Sequence, residues 1–99
     1  MANRLILHNA LKSILNNVYY QPPATVRLTY PCIVYTRKNI VGRNADNFKY
    51  KKDVAYTVTL IDRAPDSEYL MPIYELEKCS HNRHFTNDNL HHDEFTIYS

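Results

Sequence analysis

Ninety-nine residues make one domain, here taken as residues 1–99, and leave no room for a second independent core. With 44% hydrophobic and 22% charged residues and no polar tract, the chain is expected to fold rather than stay disordered. A formal net charge of +2 is too small to argue nucleic-acid binding on its own.

The opening run Met1–Asn9 has too short an apolar stretch for a signal peptide, and polar residues interrupt it. No stretch approaches the ~20 apolar residues of a membrane span. The expectation is a soluble protein made in a cytoplasm, with Cys32 and Cys79 as free thiols. Nine tyrosines and no tryptophan favour half-buried sheet faces and protein interfaces, because tyrosine joins an apolar ring to a polar tip.

The first element is a helix. Leu7, Leu11, Ile14, Leu15 and Val18 form one apolar stripe at helical spacing. Asn3 is the expected cap, and the helix should end near Tyr19 or Tyr20, before Pro22 and Pro23. A strand follows over residues 29–37, rich in β-branched and aromatic residues, with Pro31 as its first residue. Gly42, the only glycine, is expected to mark a turn or bulge with positive φ.

The strongest strand signal is Asp53–Asp62, where Val54, Tyr56, Val58 and Leu60 alternate with a mixed second face. Residues 63–67 read as a turn with Asp66 and Ser67 as caps. A second helix follows between Ser67 and Cys79, its regular part beginning at Pro72. The chain closes with a short piece at Phe85, a turn at Asn87–Asn89 and a strand over Glu94–Tyr98. The fold class is α+β: a small curved, mainly antiparallel sheet with two helices packed on one face, in the order α-β-β-β-α-β. The stretches Arg43–Tyr50 and around Phe85 are candidates for additional strands.

Cys79, His81, His84, His91 and His92 are the densest group of chemical side chains. Their spacing fits no structural zinc motif, and adjacent His91 and His92 point to opposite faces of a strand, so no metal ligand is assigned. Cys32 lies in an apolar strand, where a thiol is inert, and no catalytic residue is assigned. The pairs Asp62 with Asp66 and Asp93 with Glu94 read as turn caps and solvated strand ends. One glycine is too few for a phosphate-cradling loop, and no cofactor-binding residue is assigned.

The stretch Lys38–Lys52 concentrates charge, with five basic residues and one acid, Asp46. It is far longer than a tight hairpin turn. It reads as a projecting arm whose Arg43, Lys49, Lys51 and Lys52 meet a partner, with Phe48 or Tyr50 as anchor. Such charge softens contact with phosphates without reading sequence.

Tyr30-Pro31-Cys32-Ile33-Val34-Tyr35 after a first helix, followed by the segment from Tyr56 to Arg63, resembles the tail terminator (tail completion, or neck) proteins of tailed bacteriophages. The closing run Asn82–Tyr98 adds to the likeness through its cadence Phe, Asp-x-Leu-x-His, Phe-x-Ile-Tyr. The resemblance spans nearly the whole chain and rests on order and cadence rather than a catalytic motif. It implies a non-enzymatic structural virion protein that forms a ring, usually a hexamer. Such a ring caps the tail tube, stops its elongation and presents a surface to the neck. The implied partners are other copies of the chain, a tail tube protein and a neck or connector protein, with DNA passing near the lumen. No cofactor and no membrane are implied, and the place of work is the virion after assembly in a host cytoplasm. A head-completion or stopper protein of the connector is the sister reading. A small metal-binding protein using the histidine-rich end is the reading from a different class.

Overall fold

In the computed structural model, which describes residues 4–23, 25–45 and 49–98 (backbone alone at 41–45 and 49–53), the first element is helix α1, Arg4–Ile14. Its stripe buries Leu7 and Leu11, with Leu15 just beyond the helix end. Asn3 lies outside the described residues. The helix stops four residues short of Val18, the last residue of its apolar spacing. Asn16 and Asn17 are weak helix formers, and Val18–Tyr20 instead form strand β1, parallel to β2, Cys32–Ala45. The Ile33 N–H donates to the Asn17 carbonyl at 2.8 Å, and Asn17 Nδ2 donates to the Pro31 carbonyl at 3.3 Å. These bonds tie the helix exit to the start of β2. Pro31, which has no N–H to give, sits just outside the ladder rather than at its first position.

The remaining elements are β3 (Lys49–Asp62), α2 (Leu70–Tyr74), β4 (Cys79–Asn87) and β5 (Leu90–Tyr98). The chain is α+β, in the order α-β-β-β-α followed by strand, the final strand being a hairpin that takes in the piece at Phe85. The strands lie in the order β1-β2-β3-β5-β4, antiparallel except for the β1–β2 pair. At the β4–β5 turn Asp88 and Asn89 have φ of 52° and 63°, the paired positive values of a type I′ hairpin turn, which Asp and Asn accept at low steric cost.

Gly42 departs from its expected role. It lies inside β2 opposite Lys52, with no positive φ, and the ladder continues past it to Ala45↔Lys49. The irregularity in β2 falls earlier, at Lys38, between Arg37 and Asn39. The second helix is only five residues long, so Pro72 falls within its first turn, where a missing N–H goes unused. Asp62 organises its approach: Oδ1 accepts the Ala64 N–H at 3.1 Å, and Oδ2 accepts the Ser67 hydroxyl at 2.7 Å. Ser67 Oγ in turn accepts the Tyr69 N–H.

Register decides which residues form the core. Ile33 and Tyr35 stand opposite Leu60 and Val58 on β3, and Phe95 and Ile97 of β5 stand opposite Val58 and Tyr56. All lie on one face, beneath Leu7, Leu11 and Leu15 from the α1 side and Ile73 from α2. Both helices therefore cover the same face of the sheet. Cys32 and Cys79 lie on β2 and β4, with two strands between them, and burial pushes both thiols up to about 11. Both are free, Cys32 buried and Cys79 half-buried.

The Tyr35 side chain, fully buried in the core, carries a polar hydroxyl that is hydrogen-bonded. It accepts from Arg4 Nη1 at 3.2 Å and is hydrogen-bonded to His8 Nδ1, 2.7 Å away. The Arg4 guanidinium also lies 4.3 Å from the centre of the Tyr20 ring, and that ring packs 4.8 Å from Tyr35. Burial, then the neighbouring charges of Lys12 and Arg4, lower the His8 pKa; burial raises that of Tyr35 despite Arg4.

Two outcomes follow. Leu11→Ala removes a fully buried side chain from the centre of the α1 contact and should lower unfolding free energy by about 2–5 kcal/mol, read by urea titration. Because folded His8 binds its proton more weakly than the unfolded chain does, its contribution is intact above the usual histidine pKa of about 6.5. It is lost as pH falls through that value toward the lowered one. In His8→Gln the acid-side fall in urea midpoint should be shallower than in the parent.

Candidate functional site

Two features stand out from the packed face: a long ribbon at one end and a histidine-rich cleft toward the other. The ribbon arises from unequal strand lengths. β2 and β3 each run 14 residues, but β1 reaches only Tyr20↔Tyr35 and β5 only Tyr98↔Ala55. From Ile40↔Val54 to Ala45↔Lys49, among the described residues, the two strands pair only with each other. This two-stranded extension continues for about 17 Å past the sheet at ~3.3 Å per residue. It accounts for the elongation of the molecule, 50 × 27 × 23 Å.

The arm expected between Lys38 and Lys52 is therefore a continuation of the two strands rather than a loop between them. Arg43 stands opposite Lys51, Gly42 opposite Lys52, Asn44 opposite Tyr50 and Ala45 opposite Lys49. Phe48 lies outside the described residues, as do the side chains of Arg43, Lys49, Tyr50, Lys51 and Lys52. The bulge at Lys38 sits at the base of the ribbon, where an extra residue increases local twist.

The cleft depends on a second bulge. In β4 the register shifts between His81 and Arg83, so that His81 faces Phe95 and His84 faces Asp93 with Asn82 extra. In a regular strand residues 81 and 84 would point to opposite faces. The inserted residue brings both rings to the core face. Asn82 turns the other way, and its Nδ2 donates to Thr96 Oγ1 at 2.8 Å, which anchors the bulge.

Asp93 Oδ1 receives both rings: His81 Nε2 lies 3.1 Å away and His84 Nδ1 2.9 Å away. The carboxylate is 5% exposed, so these two donors replace the water it has lost. His91 Nδ1 stands 3.4 Å from His84 Nε2, with the two rings stacked. Beside this group Leu70, Met71 and Tyr74 of α2 and Phe95 of β5 enclose an open cleft of about 310 Å³ with His81 and Asp93 in its wall. Met71 and Tyr74 are 55% and 47% exposed.

The other side of the same hairpin carries a separate stack. Phe85 lies parallel to His92 at 4.6 Å, and Arg83 sits over Phe85 at 4.7 Å while pairing with Glu94 at 3.4 Å. The sequence cluster is thus divided: Cys79 packs against the core opposite Ile97, His81, His84 and His91 gather on the Asp93 side, and His92 faces away. Asp93 is a correction. Read as a solvated strand end, it is buried, because it occupies the same alternating face as Phe95 and Ile97. That alternation was a usable signal. Glu94, its neighbour, is on the more open face and pairs with Arg83, a pairing that contributes little.

Asp93→Ala should lower unfolding free energy by about 1–3 kcal/mol, since two ring donors lose their acceptor. The double variant with His84→Ala should cost less than the two single changes added together, measured as a urea double-mutant cycle.

Compared with protein-family models and with curated proteins, the chain matches none.

Proposed function

We propose that the chain is a structural ring subunit of the tail terminator type from a tailed bacteriophage, which caps a tail tube and joins it to the neck. The observation that carries this reading is the basic two-stranded ribbon extending from the end of the sheet. A ring subunit can use an element that reaches past its own core to another molecule, and a paired ribbon does this with its inward-facing backbone hydrogen bonds made. Lys38, Arg43, Lys49, Lys51 and Lys52 give it a net charge of +4 with Asp46, whereas the whole chain carries only +2. Cys32 is buried and Cys79 half-buried, and burial raises the pKa of both thiols, which disfavours a cysteine nucleophile. The cadence of the closing segment, which becomes the β4–β5 hairpin, fits the same family.

The test uses the purified protein and tail tubes of the phage that encodes it. Electron microscopy should show rings at tube ends, and K49E/K51E/K52E should abolish them. The same variant should keep its unfolding free energy within about 1 kcal/mol of the parent, because the changes lie outside the packed core. Bare tube ends with the parent protein at every concentration would reject the reading.

A further inference from the structure

Charge in this chain is divided between two segments of opposite sign. Residues 38–52 hold five basic residues and one acid. Residues 62–77 hold five acids, Asp62, Asp66, Glu68, Glu75 and Glu77, and one basic residue, Arg63. The net charges are +4 and −4. The second segment contains α2 and so forms the rim of the apolar cleft lined by Leu70, Met71, Tyr74 and Phe95. Asp66, Glu68, Glu75 and Glu77 are all exposed.

Among the described residues, the outer end of the basic segment lies far from the acidic one within one molecule. Lys49, at the outer end of β3, is nine residues from Val58, which stands opposite the cleft residue Phe95. At ~3.3 Å per residue that separation is about 30 Å along an extended strand. Complementary surfaces at opposite ends of one molecule satisfy each other only between copies, by a head-to-tail contact.

We infer that the α2 cleft of one copy receives the basic ribbon of the next. It rests on the ring reading, to which it adds the receiving surface and the partner. The cleft has the chemistry for a lysine or arginine side chain: Leu70, Met71 and Tyr74 accept the aliphatic stem, and Glu75 and Glu77, directly after α2, take the charged head. Opposite charge steers the approach and sets its direction, ribbon to cleft rather than ribbon to ribbon.

The experiment uses the full chain alone, without tubes. A photo-crosslinking residue is placed at Lys51, and a mixture of isotope-labelled and unlabelled protein is irradiated and mapped by mass spectrometry. Crosslinks between copies should land within residues 70–77. In sedimentation, K49E/K51E/K52E and E68K/E75K/E77K should each associate about tenfold or more weakly than the parent. An equimolar mixture of the two variants should recover association, since each ribbon then finds a cleft of opposite sign. Crosslinks confined to one chain, crosslinks to another face, or unchanged association in both variants would each overturn the inference. So would a mixture that stays dissociated. Copy-to-copy crosslinks at the cleft with no capping of tubes would strike the proposed function and leave this contact standing. Capped tubes without that crosslink would do the reverse.

Discussion

Strand β3 is hydrogen-bonded along both edges from Ala55 to Ile61, with β2 on one side and β5 on the other, and the rest of the molecule is arranged around that double pairing. Its Tyr56, Val58 and Leu60 are the middle row of the core. A shift of one residue in either ladder would turn that row to the opposite face, so the register is held by the burial itself. The helices follow from it. α1 supplies Leu7 and Leu11, α2 supplies Ile73, and both are placed where the central row needs covering.

The same strand also links the two ends of the molecule. One half of it is sheet; the other half, from Lys49 to Val54, is ribbon. A single continuous strand transmits the orientation of the ribbon directly to the core, without a loop between them. Contact elements built on strands are held more narrowly than those on loops. The direction of the ribbon relative to the α2 cleft is therefore a property of the fold.

Two bulges adjust this plan locally. The one at Lys38 stands where β2 leaves the sheet to become ribbon, and the one at Asn82 rotates part of β4 so that His81 and His84 share a carboxylate. Asp93 and the Tyr35 hydroxyl are both buried and both satisfied, Asp93 by two rings and Tyr35 by Arg4 and His8. Among the described residues no buried side-chain nitrogen or oxygen lacks a partner. Such groups cost little when satisfied and a good deal when one partner is removed.

Alternation and helical spacing are local properties, and the elements that rest on them were legible in the amino-acid sequence. The stripe of α1, the alternating row of β3, the turn at Asn87–Asn89 and the α+β class are all of this kind. The concentration of basic residues between Lys38 and Lys52 was equally plain. What pairs with what was not. Val18 carries the helical spacing, yet it joins β1 because β2 offers it a parallel edge. Gly42 looked like a turn, yet lies in a ladder whose partner residues set its conformation. His81 and His84 meet on Asp93 only because one extra residue at Asn82 breaks the two-residue period of the strand. Each of these outcomes depends on a neighbouring strand far along the chain, and no local pattern encodes a neighbour's register.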